Sequence, residues 1–384
     1  MYKVATLNRI SPKGLGLFRE DYAVGHELHN ADIVLVRSQD MHGTELPDNL
    51  LAIARAGAGV NNIPVEACSE QGIVVFNTPG ANANAVKELT LGALLAAARN
   101  LVPAAEWARS LTRNAAEAVE KGKSKFAGEE LLGKRLAVIG LGAIGVLVAN
   151  SAERLGMRVA GYDPYISVQN AHDLSPTVRL HDNLEYMLAH CDYLTIHVPA
   201  TEATSGMIDY KLLDVMKNRA VFLNFSRDSV VNTEDMRRIL EEKKLRLYVT
   251  DFPTDELLGL ENVLFIPHLG ASTKESEENC AVMAVEQLMN YVEHGTIENS
   301  VNFPMCAPGV KETATRICVL NRNIPAMLGK LTAVFAERNI NIAKLINKSK
   351  GDNAYTVIDI GSEITEDEIR RALDFDGIIS VRVI

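Results

Sequence analysis

Arg135-Leu136-Ala137-Val138-Ile139-Gly140-Leu141-Gly142-Ala143-Ile144-Gly145 is a short apolar run that ends in three spaced glycines and opens into the helix-forming stretch 146–155. A run of this kind reads as a buried strand, and Gly-x-Gly-x-x-Gly between strand and helix reads as a phosphate-binding turn. Gly140 permits the tight turn, Gly142 lets backbone approach a pyrophosphate, and Gly145 lets helix and strand pack closely. Ala143 and Ile144 then place their amides at the helix N-terminus, where they face negative charge. Asp163 closes the next apolar run, 18 residues beyond Gly145. A carboxylate there accepts hydrogen bonds from ribose hydroxyls and repels a 2′-phosphate, and the following Pro164-Tyr165 offers no arginine to receive one. The cofactor expected is NAD rather than NADP. The bland alternative, a glycine turn without a ligand, explains neither the strand, the helix nor the acid in their places.

Working outward, further apolar runs at 159–162, 193–198, 221–225, 247–250 and 263–266 alternate with helical stretches. They predict a doubly wound parallel sheet of five or six strands. Upstream, residues 33–36, 51–54 and 73–76 repeat the pattern and predict a second sheet of βαβ units. Residues 85–111 are rich in Ala and Leu, which favours one long helix or two, with Pro103 as the break. Residues 274–294 predict one more helix. Beyond Pro304 and Pro308-Gly309 the order is strand 316–320, helix 325–338, strand 342–347, strand 355–360, helix 365–373 and strand 379–384. This βαββαβ order is ferredoxin-like. The expected class is therefore α/β, with two Rossmann-like doubly wound domains and a ferredoxin-like C-terminal one.

The chain has 384 residues, 39 of them basic and 49 acidic, for a formal charge of −10. That balance argues against nucleic acid or an anionic membrane as partner, and no apolar run reaches the ~20 residues of a membrane span. Five cysteines without Cys-x-x-Cys spacing, after an N-terminus that enters a strand directly, favour a reduced cytoplasm. They read as small core residues rather than nucleophiles. His26, His29 and Asp32 lack the further ligand pattern of a metal site, and Lys121, Lys123 and Lys125 read as a solvated face.

Three residues follow successive predicted strands: Arg227, Glu256 and His268. In a doubly wound sheet, strand C-termini converge on the cofactor's reactive end. Oxidising a hydroxy acid there requires a base for the hydroxyl proton, a group that tunes the base, and a cation for the carboxylate. A histidine with its ordinary pKa near ~6.5 serves as base in both directions. A carboxylate on the second ring nitrogen orients it, and a planar guanidinium grips a carboxylate in bidentate fashion.

These segments resemble the D-2-hydroxyacid dehydrogenase family and, within it, the phosphoglycerate dehydrogenases. The resemblance spans essentially the whole chain. Arg55-Ala56-Gly57-Ala58-Gly59-Val60-Asn61-Asn62 is similar to the substrate loop. Asn77-Thr78-Pro79 with Val86-Lys87-Glu88-Leu89 is similar to the entry to the interdomain helix. Leu223-Asn224-Phe225-Ser226-Arg227 resembles the catalytic-arginine segment, and Pro267-His268-Leu269-Gly270-Ala271-Ser272-Thr273 the catalytic-histidine segment. The family's acid maps to Glu256, or by one residue to Asp255.

What the resemblance implies is an NAD-dependent oxidation of 3-phospho-D-glycerate at C2. Arg37, Ser38, Arg55, Gly57, Ala58, Gly59 and Asn82 would then surround the substrate. His197, Val198, Pro199, Thr204, Phe225, Ser226, Asp251 and Gly270 would line the cofactor, with Asp251 near the nicotinamide amide. It further implies a substrate domain of residues 1–95 completed by 285–305, a cofactor domain of 96–284 and a hinged cleft. The tail, 314–384, resembles an ACT domain that pairs subunits in a homo-oligomer and binds serine through Asn321, Asn323 and Asn341. Three departures stand out. Asp228 replaces the usual Gly after the arginine, the stretch from Glu256 to His268 is short, and Asn321-Arg322-Asn323-Ile324-Pro325-Ala326 lacks the ACT motif's His and Gly.

Overall fold

The computed structural model describes residues 1–384, which form two compact units, Met1–Asn82 with Lys274–Ile384 and Ala83–Thr273. In the first unit, β1 (Tyr2–Leu7), α1 (Pro12–Leu15), β2 (Tyr22–Gly25), β3 (Ile33–Val36), β4 (Ala52–Arg55), α2 (Val65–Glu70) and β5 (Val74–Phe76) follow one another. The strands pair in parallel in the order β2-β1-β3-β4-β5. Every residue of β3 is buried, which is why it reads as an unbroken apolar run rather than an alternating one. The sequence reading misses β2: it is an edge strand with only Tyr22 buried, so no apolar pattern marks it.

The second unit opens with α3 (Ala83–Ala98), α4 (Leu101–Arg109) and α5 (Ala115–Gly122). The helix expected to break at Pro103 breaks earlier, at Asn100, whose φ of +51° is left-handed. Pro103 instead sits in the first turn of α4, where its missing N–H has no helical partner to lose. The chain then runs β6 (Arg135–Ile139), α6 (Ala143–Arg154), β7 (Arg158–Tyr162), α7 (Val168–Asp173), β8 (Arg179–Leu180) and α8 (Leu184–Ala189). It continues with β9 (Tyr193–Ile196), α9 (Tyr210–Asp214), β10 (Ala220–Asn224), α10 (Thr233–Glu241), β11 (Leu245–Thr250) and β12 (Val263–Phe265). Seven strands pair in the order β12-β11-β10-β9-β6-β7-β8, against the five or six expected. The extra one, β8, is two exposed residues at the edge. Chain order reverses between β6 and β9, and that switch point lies where the glycine turn leaves β6.

The chain returns to the first unit in α11 (Lys274–His294), with the bounds expected. There follow β13 (Thr315–Arg322), α12 (Met327–Glu337), β14 (Ile342–Lys350), β15 (Asn353–Ile360), α13 (Glu366–Ala372) and β16 (Ile378–Val383). These strands form an antiparallel sheet in the order β14-β15-β13-β16.

Both faces of this sheet are covered. Ile317, Val319, Ile358 and Val381 pack under the helices with Leu331, Phe335 and Ile369. Their strand neighbours Cys318, Leu320, Tyr355 and Val357 share a core with Phe76, Tyr291, Val292 and Phe303. At that face the Arg316 guanidinium, fully buried, forks onto the Asp359 carboxylate at 2.7 and 2.8 Å and donates its remaining nitrogen to the carbonyls of His294 and Gly309. The buried Arg382 donates to the carbonyls of Tyr291 and Val292, in the last turn of α11, and stacks on the Tyr291 ring. The Tyr291 carbonyl also accepts the Gly295 N–H at 2.9 Å, and a cation there meets the negative end of the helix dipole. No helix of the protein is long and apolar enough to cross a membrane. All five cysteines are buried and unpaired. Burial pushes the thiols of Cys68 and Cys306 up to about 11 and that of Cys191 to about 12, away from nucleophilic use.

Candidate active site

The glycine turn is built by contacts that only glycine tolerates. Gly140 has φ +84°, and a Cβ there would collide with the His197 carbonyl; one on Gly145 would collide with the Gly140 carbonyl. A Cβ on Gly142, by contrast, meets nothing within 4 Å. The first amides of α6, those of Ala143, Ile144 and Gly145, precede the first helical bond, Val146 N–H to Gly142 O, and so have no acceptor of their own. Open space at Gly142 beside unpaired amides is a cradle shaped for a pyrophosphate.

Asp163, half-buried just beyond β7, does more than the sequence suggests. Its two oxygens accept the N–H groups of Leu141 and Tyr165, each at 2.8 Å. The carboxylate thereby ties the glycine turn to β7. Each oxygen keeps a lone pair for a ribose hydroxyl.

His197 follows β9. Its Nε2 lies 3.0 Å from Thr195 Oγ1, its Nδ1 is buried without a partner, and burial pushes its pKa down to about 3, so the ring is neutral. Ser226 donates to the Val198 carbonyl, and Thr204 to that of Pro199 at 2.6 Å. Phe225 is buried. Beyond β10 the turn to Arg227 is organised by Asn224, which is fully buried. Its Oδ1 accepts the Ser226 N–H at 3.1 Å and its Nδ2 donates to the Arg227 carbonyl at 2.9 Å. Sequence reasoning assigned Asn224 no role; its one signal is a polar residue closing an apolar strand. The Arg227 side chain is exposed and bonds only its neighbour's carbonyl, Ser226 O, with no ion pair to Asp228.

His268 lies two residues past the Ile266 that closes β12's apolar run, with its ring 4.8 Å from that of Phe252. Its loop is anchored two residues on, where Gly270 N–H donates to Asp251 Oδ2 at 3.1 Å. Asp251 is buried, its Oδ1 has no partner, and burial raises its pKa against the opposing pull of Gly270 and His268. Glu256 stands elsewhere. It is exposed in the single turn Asp255–Leu257, and neither it nor Asp255 bonds or ion-pairs with His268. The pairing expected of Glu256 and His268 is thus not made. Asp251 lies within electrostatic reach of this histidine.

The model of the D-isomer specific 2-hydroxyacid dehydrogenase NAD-binding domain matches residues 91–270. The D-3-phosphoglycerate dehydrogenase of Escherichia coli (strain K12) is 31% identical over 92% of this chain and 86% of its own length. The chain belongs to the D-isomer specific 2-hydroxyacid dehydrogenase family. The D-3-phosphoglycerate dehydrogenase of Methanocaldococcus jannaschii is 35% identical over 86% of this chain, which spans only 62% of that relative's length. Among solved structures, the NAD⁺-bound 3-phosphoglycerate dehydrogenase of Entamoeba histolytica shares 27% identity at a TM-score of 0.63, covering 78% of this chain and 98% of that one.

As the matched model of this family is an NAD-binding one, NAD is the cofactor that the glycine cradle, Asp163 and the unpaired polar atoms of His197 and Asp251 fit. The segment that resembles a substrate loop lies in the first unit and is held by polar contacts. Asn8, at φ +90°, accepts the N–H groups of Arg37, Ser38 and Gln39 on one Oδ1; it too went unread. The Arg37 side chain pairs with Glu277 at 2.7 Å, and Arg55 Nε donates to the Arg37 carbonyl. A Cβ on Gly57 would strike the Arg55 guanidinium. Thr78 N–H bonds the Gly57 carbonyl and Asn77 Nδ2 that of Ala58. Gly59 and Asn82 are half-buried.

In the C-terminal sheet domain, Asn321 turns inward. It is buried, donates to the Arg322 carbonyl and accepts from Thr356. Asn323 donates to the Gly351 carbonyl and Asn341 is exposed. Ala326 has φ +65°, a conformation that costs a non-glycine residue about 1 kcal/mol.

Proposed function

We propose that the chain oxidises 3-phospho-D-glycerate to 3-phosphohydroxypyruvate with NAD, the entry step of serine synthesis. The observation that carries this reading is the histidine loop. His268 follows the strand series of an NAD-binding sheet and is tethered through Gly270 to the buried Asp251, in a chain about one-third identical to phosphoglycerate dehydrogenases. NAD, when bound, supplies the hydride acceptor for C2. His268 takes the hydroxyl proton and returns it in the reverse direction. Arg227 grips the substrate carboxylate with the Gly57–Gly59 amides, and Arg37, Ser38, Arg55 and Asn82 complete the substrate's polar surroundings. Glu256 steadies the imidazolium once substrate is present, since such contacts tighten in the loaded enzyme.

We read the C-terminal sheet as an ACT-type module of a cytoplasmic homo-oligomer, with serine as its effector at Asn323 and Asn341. The test is NADH formation at 340 nm from 3-phosphoglycerate and from a panel of other D-2-hydroxy acids, with and without serine. NADH from the others but none from 3-phosphoglycerate overturns the substrate assignment, and unchanged rates in serine overturn the effector.

A further inference from the structure

A second place in the cofactor-binding unit is built for charge. Arg135 and Arg158 are register partners at the starts of the parallel strands β6 and β7, and Arg179 on β8 partners Ala160, two residues beyond Arg158. Because side chains alternate along a strand and align across it, all three arginines leave the same face of the sheet. That face packs against α8, since Ala137, Ala160 and Met187 share one core. The three line a cavity of about 480 Å³ together with His181 and His190, a volume in the range of small-molecule sites. It lies at the N-terminal ends of β6 and β7. The glycine turn and Asp163 leave their C-terminal ends, about 13 Å away at the usual rise per residue.

The charge here is unbalanced. None of the three guanidiniums makes a side-chain hydrogen bond or ion pair, whereas Arg37, Arg237, Arg238, Arg246, Arg316 and Arg370 all pair with carboxylates. One acid, Glu153, lines the cavity and pairs with none of them. The nearby Asp192 carboxylate is spent on Lys217 and the Arg135 backbone N–H. Like charges directly opposite on neighbouring strands destabilise a sheet, and in a chain of net charge −10 their clustering does not follow from composition. A bound oxyanion would resolve the repulsion, and guanidinium forks match its geometry.

We propose that the cavity framed by Arg135, Arg158 and Arg179 binds a small, multiply charged oxyanion, at a site separate from those of substrate and cofactor. A phosphate ester and a tricarboxylate share the required chemistry. Their sources are separated by titrating the NADH-saturated full chain with inorganic pyrophosphate in one arm and citrate in the other, at low ionic strength, by calorimetry. The expected result is one saturable site per chain for at least one anion, weakened about tenfold or more in the double variant Arg158→Gln with Arg179→Gln, as loss of charge-assisted hydrogen bonds dictates. Turnover of 3-phosphoglycerate without added anion should stay within about twofold, since neither residue touches the reacting groups. The double variant Arg158→Lys with Arg179→Lys, which keeps the charge and loses the forks, should fold and bind with intermediate affinity. Absence of saturable binding, or equal affinity in wild type and the Gln variant, overturns the site.

Discussion

One carboxylate oxygen of Asp251 holds the Gly270 N–H at 3.1 Å, while the other is buried with nothing to accept. The loop bearing His268 is therefore fixed by a group whose ionisation the fold resists. Burial raises its pKa, so the folded chain holds that proton more tightly than the unfolded one. Its contribution to stability is full below the unfolded value near ~3.9 and is lost as pH rises through the folded value. Asp251→Asn, which cannot ionise and still accepts from Gly270, should gain stability relative to the wild type as pH climbs from 4 toward 7. Paired urea titrations across that range measure the difference, and a flat or falling difference would refute the account.

Replacing His268 with Ala should lower turnover by about 10²–10⁴-fold, the usual worth of a positioned proton acceptor. NAD affinity measured by fluorescence titration should hardly change. Glu256→Gln should instead displace the pH profile of kcat more than it lowers the plateau. Full activity in His268→Ala reassigns the base.

Two glycines of one turn should respond in opposite ways. A Cβ on Gly145 strikes the Gly140 carbonyl, so Gly145→Ala should lower stability by about 1–3 kcal/mol, in the range of overpacking. The space at Gly142 is open within the protein, so Gly142→Ala should leave the melting temperature in place. It should weaken NAD by about tenfold by filling the pyrophosphate's approach. Parallel melting and NAD titration of both variants separate the two effects.

Asp228 stands beside Arg227 without pairing to it, and its φ is not left-handed. Nothing in the backbone demands glycine there, so the consequence of the exchange is electrostatic. Asp228→Gly should raise kcat/KM for an anionic substrate several-fold at low salt, an advantage fading as salt screens it. Kinetics at ~0.02 and ~0.5 M ionic strength decide the matter; a salt-independent gain points to the turn instead.

The buried Arg316–Asp359 fork joins the C-terminal sheet to the end of α11. Asp359→Ala leaves a buried guanidinium without its counter-charge and should cost about 3–5 kcal/mol. Adding Arg316→Met to it should recover much of that loss. Chemical denaturation of the wild type and the two variants checks both signs, and equal destabilisation by the single and double variants would show that the unpaired guanidinium is not the source of the loss.

Much of this molecule is readable in its sequence because burial writes itself as pattern. The glycine turn, the unbroken apolar strands and α11 appear where their residues predict them. The edges do not, since Tyr22–Gly25 and Arg179–Leu180 are held by backbone pairing on one side and expose most of their side chains. The helix breaks at Asn100 and not at Pro103, because a proline in the first turn of a helix loses no hydrogen bond. At the candidate site, the glycine turn and the histidine segment are nameable by motif. Asn8 and Asn224 are not, since they act through neighbouring amides and carbonyls that only the folded chain brings within reach. Asp251 is named by resemblance, but its hold on a backbone N–H 19 residues away is visible only in the folded chain.

The C-terminal sheet, with one face under its own helices and the other merged into the core of Phe76, Tyr291 and Phe303, has a consequence for descent and for engineering. A module of this kind is not a cassette that recombination can add or delete in one step. A chain stopped before it would carry the exposed imprint of Cys318, Leu320, Tyr355 and Val357 and a helix end stripped of Arg382. The tail grafted elsewhere would carry two buried arginines into water-facing positions without the carbonyls they serve. Acquisition or loss of this domain therefore requires concerted change on both sides of the seam, and chimaeras cut at the linker need that seam rebuilt before they fold.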